Sequence, residues 1–215
     1  MFQGFSEETV RFLWELRLNN NRPWFLDHKQ VYLDVLYQPM KELGAELQER
    51  MLERYPKLLL NLRVARIYRD ARRVRDGRPY KDHLWLTLTD AVGPLGSVPV
   101  FYFEVAPEGY EYGLGYYCPK PALMGVYREK VLADPKKMER LVRRFNRQSL
   151  FQLFGEAYKR PKGEVSDLLK PWFNRKQIGL SAAFPPDETF FSPALAERVT
   201  EGFAWLMPFY RYFPR

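Results

Sequence analysis

Leucines alternate with Trp and Thr in Leu84-Trp85-Leu86-Thr87-Leu88-Thr89. Successive side chains of a strand point to opposite faces of a sheet, so this alternation predicts a strand with one buried face. Similar period-two patterns run through residues 98–105 and 110–117, and the turn residues Gly93-Pro94 and Pro107-Glu108-Gly109 separate the three runs. Three consecutive strands with short links predict an antiparallel meander.

Helical patterns precede these strands. The stretch Phe5-Ser6-Glu7-Glu8-Thr9-Val10 predicts a helix N-terminus with Ser6 as its N-cap, and the Asn19-Asn20-Asn21 run is expected to end that helix. Apolar side chains then recur at spacings of three or four over residues 32–51, which predicts an amphipathic helix. Pro39 must kink or divide this second helix, because proline cannot donate a backbone hydrogen bond.

Further elements complete an α+β pattern. Residues 58–68 are rich in Leu, Val and Ile and predict a strand before the meander. Asp134-Pro135 begins a helix with a basic face, and Ser192-Pro193 begins a last helix that is expected to run through Leu206. We therefore predict a central antiparallel β-sheet meander flanked by N-terminal and C-terminal helices. Neither a linker-like tract nor an internal repeat divides residues 1–215, so a single domain is expected.

Composition excludes several classes of protein. Hydrophobic residues make up 46% of the 215-residue chain and aromatic residues 16%, which is enough apolar surface for a large core and excludes a wholly disordered chain. No apolar stretch reaches the length of a membrane span, so no membrane partner is expected. Cys118 is the single cysteine and can close no intramolecular disulfide, and charges interrupt the N-terminus where a signal peptide would be apolar. These features predict a cytoplasmic protein.

The positive charge is concentrated in two segments. The chain has a formal net charge of +8. Residues 63–83 contain 8 basic and 3 acidic side chains, and residues 119–176 contain 15 and 6. The remaining segments are neutral to acidic. Such local concentration predicts a local anionic partner rather than a general device for solubility.

The first basic segment contains the strongest candidates for ligand binding. Arginine has a planar guanidinium that binds carboxylate or phosphate in bidentate fashion, and a nearby lysine and tyrosine could add further donors. The predicted ligand-binding residues are Arg22, Arg66, Arg69, Arg72, Tyr80 and Lys81. A structural alternative is that Arg69 and Asp70, or Arg72 and Asp76, form ion pairs that brace the segment. The expected ligand is a phosphate-bearing or other anionic small molecule.

Two residues of the same segment are candidates for catalysis. His83 opens a predicted strand and could transfer protons near neutral pH, and Asp70 could act as an acid, a base or an orienting group. No spacing of His, Cys and carboxylates matches a metal site, and no glycine-rich phosphate loop or dinucleotide motif indicates a cofactor. A noncatalytic nucleic-acid-binding module that uses the basic segments 63–83 and 136–162 is the alternative, and binding of an acidic protein is a third possibility.

Several motifs of the chain are similar to those of a known family. They are Phe2-Gln3-Gly4-Phe5-Ser6, Asn19-Asn20-Asn21-Arg22-Pro23-Trp24-Phe25, Arg66-Ile67-Tyr68-Arg69-Asp70-Ala71-Arg72 with Asp76, Pro79-Tyr80-Lys81 and His83, Gly113-Leu114-Gly115, and Tyr158-Lys159-Arg160-Pro161-Lys162-Gly163. Together they resemble the bacterial and fungal proteins of domain of unknown function 2461 over nearly the whole chain. The resemblance implies no activity, because the family name supplies none.

Overall fold

The computed structural model describes residues 1–70, 72, 76–89 and 96–215. The strands within these ranges are β1 (Asn61–Val64), β2 (Leu84–Thr89), β3 (Val100–Ala106), β4 (Gly109–Gly115), β5 (Gln152–Phe154) and β6 (Gly179–Phe184). They form one sheet in the order β1-β2-β3-β4-β6-β5. The neighbouring strands β2, β3 and β4 are the predicted meander. With helices before and after it, the sheet confirms the α+β fold.

Helices account for most of the remaining regular structure. In the described ranges they are α1 (Glu7–Leu18), α2 (Arg22–Asp27), α3 (Lys29–Tyr32), α4 (Gln38–Arg54), α5 (Pro121–Ala133), α6 (Pro135–Phe145), α7 (Lys170–Phe173) and α8 (Ala194–Tyr212). A π-helical turn, Leu33–Tyr37, joins α3 to α4. None of the helices so described is long and apolar enough to cross a membrane.

The predicted helix starts are confirmed near the N-terminus. The Thr9 amide donates to Ser6 Oγ at 3.3 Å, and the Ser6 amide donates to Thr9 Oγ1 at 3.1 Å. This reciprocal cap satisfies two donors at the start of α1. Pro39 is the second residue of α4 and directly follows the π-helical turn Leu33–Tyr37, with helical backbone dihedrals at both Tyr37 and Gln38. The second predicted helix is therefore divided, with the π-helical turn before the proline.

Several predicted boundaries are wrong. The strand expected over residues 58–68 is limited to β1, and the sequence did not reveal β5, which has only three residues, or β6, which lacks sustained alternation. The last helix continues past Leu206 to Tyr212 with Pro208 inside it. Buried aromatic residues follow that proline, so packing outweighs its low helix propensity. The turn predicted at Gly93-Pro94 lies outside the described residues.

The chain divides into two compact units. The first consists of Met1–Leu88, Tyr102–Tyr112 and Ala183–Glu201. Its core contains Phe5, which stacks on Phe103 with ring centres 5.9 Å apart and on Phe190 at 4.9 Å. The alternate leucines of β2 are fully buried in the same unit, as their period-two spacing predicts.

The second unit consists of Thr89–Phe101, Gly113–Ala182 and Gly202–Arg215. Its core is aromatic too, because Trp172 stacks on Phe209 with ring centres 5.7 Å apart. A Cβ atom on Gly113 would lie 2.0 Å from the Leu180 carbonyl oxygen, so only glycine fits where β4 meets β6. The sequence predicts a single domain, and this division into two compact units leaves that prediction untested.

Candidate anion-binding and acid–base site

Residues 65–70 and 76–83 of the first unit form the two arms of a hairpin that extends β1 and β2, and together with Arg72 we call them the charged hairpin. The Ala65 amide donates to the Trp85 carbonyl oxygen at 2.9 Å. Farther out, the Lys81 amide donates to the Ile67 carbonyl oxygen at 2.8 Å, and Tyr68 pairs with Tyr80 in an antiparallel bridge. Tyr80, Lys81 and His83 are therefore displayed from hydrogen-bonded arms of the hairpin, whereas Asp70 and Arg72 lie beyond these backbone bonds.

Tyr80 is an anchor of the charged hairpin. Asn20 Nδ2 donates to the Tyr80 carbonyl oxygen at 3.1 Å, and the Tyr80 amide donates to Asn20 Oδ1 at 3.0 Å. The Tyr80 ring stacks on Phe25 with ring centres 4.0 Å apart, and Tyr80 is buried. Burial raises the pKa of the Tyr80 phenol. The structure thus places this predicted ligand-binding residue in the core.

The Asn19-Asn20-Asn21 run has three different uses. Asn19 is the C-cap of α1, which agrees with its predicted role as a helix stop. Asn20 holds the charged hairpin through Tyr80. Asn21 is the N-cap of α2, because its Oδ1 accepts from the Trp24 amide at 3.0 Å. A run of polar residues that looks like a simple loop therefore fixes α1, α2 and the hairpin to one another.

Four charged side chains of the charged hairpin pair with one another. Arg69 Nη1 donates to both oxygens of Asp76 at 2.8 and 2.9 Å, and it also reaches the Arg78 carbonyl oxygen. Arg72 donates to both oxygens of Asp70 at 3.0 and 2.9 Å. The guanidiniums of Arg69 and Arg72 are thus engaged with carboxylates, but in other pairs than the Arg69–Asp70 and Arg72–Asp76 pairs that the sequence suggests.

The other predicted basic residues are less constrained. Arg22 begins α2 and is exposed, and its positive charge acts on the Tyr80 phenol to lower that pKa against the effect of burial. Arg66 is exposed, and its guanidinium makes no hydrogen bond or ion pair with the part of the chain that the structure describes. Lys81 Nζ donates to the carbonyl oxygens of Arg66 and Tyr68. Burial lowers the pKa of Lys81, and the charge of Arg66 lowers it further.

Lys81 and His83 converge on Trp85 where the hairpin enters β2. Lys81 Nζ lies 4.7 Å from the centre of the Trp85 ring, and the His83 ring stacks on the same indole with centres 5.5 Å apart. All three side chains are partly exposed, whereas Leu84 and Leu86 are buried. The alternation therefore assigns Lys81, His83 and Trp85 to the partly exposed face of the sheet.

Asp82 holds the imidazole of His83. Asp82 Oδ1 lies 3.1 Å from His83 Nδ1, and Asp82 Oδ2 accepts from Arg17 Nε at 2.6 Å. Burial tends to raise the pKa of Asp82, but the hydrogen bonds from His83 and Arg17 and the charge of Arg17 together hold that pKa below its usual value. An ionised Asp82 orients His83 with its Nε2 directed away from the carboxylate.

Glu104 and Glu111 complete this face, and the sequence analysis missed both. Only Pro107 and Glu108 lie between β3 and β4, so the two strands are antiparallel and Glu104 stands opposite Glu111. The Tyr102 hydroxyl donates to Glu111 Oε1. Alternation within each strand and the short link between them were the signals that could have identified the pair.

The surroundings of Glu104 favour its protonated form. Burial raises the pKa of Glu104, and the negative charges of Glu111 and Asp82 raise it further. A positive charge on His83 would lower the pKa of Glu104. Two neighbouring carboxyl groups that cannot both ionise freely are a common arrangement for proton transfer. The partly exposed face thus combines a cationic end at Lys81 with an acidic end at Glu104.

The other candidates for chemistry are a metal site, Asp70 and Cys118. Within the described ranges, no three His, Cys, Asp or Glu residues are grouped so that they could hold a metal ion. Asp70, the second predicted catalytic residue, lies on the exposed part of the charged hairpin beside Arg72 rather than with His83 on the Trp85 face. Cys118 is exposed and has a left-handed backbone conformation.

A family model places the chain among known proteins. No curated protein matches it in a sequence comparison. A family model described as "Conserved hypothetical protein (DUF2461)" matches residues 8–212, which include the charged hairpin, the Trp85 face and almost all of the regular structure. The match confirms the resemblance seen in the motifs, and the chain belongs to this family of conserved hypothetical proteins, domain of unknown function 2461.

Proposed function

We propose that the protein binds an anionic small ligand, such as a phosphate-bearing molecule, on the face formed by Lys81, His83 and Trp85. The observation that carries the proposal is the convergence of an ammonium and an imidazole on one indole ring. Arg66 and Lys81 would hold the anionic group, and the Trp85 ring would supply the apolar surface beneath the rest of the ligand.

The charges of Arg66 and Lys81 support an anion at this position. An ammonium has three N–H donors, and two backbone carbonyl oxygens already accept from Lys81. One donor therefore remains for a ligand. The charge of Arg66 disfavours the charged form of Lys81, so an anion placed near both groups would relieve this repulsion.

The same face could also transfer protons to or from the bound ligand. His83 is oriented by Asp82. Partial burial raises the pKa of Glu104, and the negative charges of Glu111 and Asp82 raise it further. We assign the acid and base roles to His83 and Glu104. Asp70 is the weaker candidate, because both of its carboxylate oxygens accept hydrogen bonds from Arg72.

A thermal-shift screen tests the proposal. The purified protein is heated with nucleotides, sugar phosphates and carboxylates, each at low and at moderate salt. A ligand at one hundred times its Kd should stabilise the folded protein by about 2.7 kcal/mol. Arg66→Met should abolish the shift, whereas Arg63→Met, at an exposed arginine on β1, should preserve it. No shift with any small anion, or equal shifts in both variants, would refute binding at this face.

The alternative is a nucleic-acid surface formed by the basic segments 63–83 and 136–162. Its supporting observation is that the basic side chains of α6 are exposed. They are Lys136, Lys137, Arg140, Arg143 and Arg144. Binding of this kind weakens steeply with salt because counterions are released. Stabilisation by oligonucleotides alone, and its loss at moderate salt, would favour this alternative over the Trp85 face.

The expected cytoplasmic location belongs to the same proposal. It is supported by the single cysteine, which is exposed and free, as is common in reducing compartments.

A further inference from the structure

A second group of basic side chains surrounds Tyr158 in the second unit. Lys162 Nζ lies 4.4 Å from the centre of the Tyr158 ring, Arg128 Cζ lies 5.6 Å from it, and Lys176 Nζ lies 6.0 Å from it. The three cations come from α5, from the loop after β5 and from the segment before β6. We call Arg128, Lys162, Lys176 and Tyr158 the Tyr158 cluster.

Arg128 has donor capacity that the protein does not use. Its Nη1 atom is buried and finds no hydrogen-bond partner in the described part of the chain. Leaving a buried donor unsatisfied costs free energy, and it costs more when the group is charged. The contact with the Tyr158 ring compensates the charge only partly, because a ring face accepts no conventional hydrogen bond from Nη1. Because Nη1 is shielded from solvent, an acceptor from outside reaches it only when the Arg128 side chain shifts, and such an acceptor would remove the penalty.

The backbone holds the Tyr158 cluster in place. The Tyr158 amide donates to the Asn174 carbonyl oxygen at 2.8 Å, and the Lys162 amide donates to Asn174 Oδ1 at 2.9 Å. Ala157 and Arg175 form an antiparallel bridge beside them. A single asparagine thus fixes both ends of the segment that runs from the ring to Lys162. Such preorganisation reduces the entropy lost on binding.

Negative charge is scarce around these cations. Within the described ranges, Glu156 is the carboxylate that pairs with the cluster, and it pairs with Lys176. The neighbouring Arg175 instead donates to the carbonyl oxygens of Pro171 and Gly155. The charges of Arg128 and Lys162 are therefore left without a carboxylate partner among these residues. Like charges gathered in this way repel one another unless an anion joins them.

The geometry points to a phosphate-binding site at the Tyr158 cluster, in which the phosphate group of a small molecule accepts hydrogen bonds from Arg128 and Lys162. A guanidinium and an ammonium are the side chains that most often bind phosphate, and the planar donors of Arg128 can engage two of its oxygens. This site is distinct from the one proposed above, because it uses no residue of the charged hairpin or of the Trp85 face.

The test is a titration of the full chain with inorganic phosphate, with ionic strength held constant by sodium chloride. It is done in the Arg66→Met background, so that the first proposed site does not contribute. Saturable stabilisation is expected, and Lys162→Met should weaken the apparent affinity at least tenfold. Lys159→Met is the matched control, because Lys159 is an exposed lysine of the same segment and makes no ring contact in the described structure. Adding Lys159→Met to the Arg66→Met protein should leave its affinity for phosphate unchanged.

Two results would overturn the inference. One is the absence of saturable stabilisation by phosphate in the Arg66→Met protein. The other is an equal loss of affinity in Lys162→Met and Lys159→Met, which would mean that general positive charge is responsible. Because the measurement uses the Arg66→Met protein, neither result bears on the first site. A parallel titration with a nucleoside monophosphate separates free phosphate from a phosphate ester as the preferred form.

Discussion

The charged hairpin and the Tyr158 cluster are both rich in basic residues, but they use their charge differently. In the hairpin, Arg69 is paired with Asp76 and Arg72 with Asp70, so two of the charges that are conspicuous in the sequence are neutralised. In the Tyr158 cluster, Arg128 and Lys162 face an aromatic ring instead of a carboxylate. The number of basic residues in a segment is therefore a weaker indication of anion binding than whether carboxylates lie close enough to pair with them.

The largest effect is expected where the hairpin is anchored. Tyr80→Ala removes a buried ring from its stack on Phe25 and should lower the free energy of unfolding by about 3 kcal/mol. Urea denaturation measures this loss. Tyr68→Ala is the control, because Tyr68 pairs with Tyr80 but is 51% exposed, and it should cost much less. Equal losses in the two variants would contradict the role of Tyr80 as the anchor.

The next effect has the opposite sign and concerns the Tyr158 cluster. Arg128→Met removes a buried, unsatisfied guanidinium nitrogen while keeping most of the side-chain volume. In phosphate-free buffer the variant should be more stable than the wild-type protein by about 1 kcal/mol, as measured by urea denaturation. Lys162→Met, which changes an exposed lysine, should leave stability unchanged. A destabilised Arg128→Met protein would show that Arg128 is structural.

The fold was largely predictable because it depends on local patterns. The Ser6 cap and the alternation in β2 each involve only a few neighbouring residues, and both were confirmed. The strands β5 and β6 were missed because pairing between segments that are distant in the sequence defines them. The extension of α8 past Pro208 was missed because buried aromatic contacts outweigh the local propensity.

The candidate sites were less predictable, because ion pairs depend on three-dimensional neighbours. The sequence suggests an ion pair between Arg69 and Asp70, whereas the structure pairs Arg69 with Asp76. The Tyr158 cluster joins side chains that are more than thirty residues apart along the chain, such as Arg128 and Lys162. Glu104 was missed because an acidic residue at an alternate position of a strand usually indicates only that this face of the strand is exposed to solvent.

A smaller effect is expected from Glu104 and should depend on pH. The pKa of Glu104 is raised in the folded protein above its ordinary value of 4.5, mainly by burial. Its favourable contribution is therefore complete below about pH 4.5 and is lost as the pH rises through the folded-state pKa. Glu104→Gln should be more stable than the wild-type protein at neutral pH, by a few tenths of a kcal/mol to about 1 kcal/mol, because a like charge opposite Glu111 disappears.

Urea denaturation of both proteins from pH 4 to pH 8 measures this dependence. The difference in stability should grow with pH and should be smallest at the acidic end. Glu108→Gln is the control, because Glu108 is exposed at the β3–β4 turn and has a lowered pKa through its hydrogen bond with Arg17. This variant should lose stability toward neutral pH instead of gaining it. A constant difference for Glu104→Gln would show that Glu104 does not titrate as the structure indicates.

The smallest effect is expected at the exposed end of the charged hairpin. Arg72 is 88% exposed, so its ion pair with Asp70 is screened by water and should stabilise the fold very little. Arg72→Ala should leave the urea midpoint unchanged within error, and Arg69→Ala should lower it slightly because Arg69 also donates to a backbone carbonyl. Neither variant should lose the ligand that Arg66→Met loses. If Arg72→Ala removed ligand binding while the fold stayed intact, Arg72 would have to exchange Asp70 for the ligand, and the binding face would extend from Trp85 to Arg72.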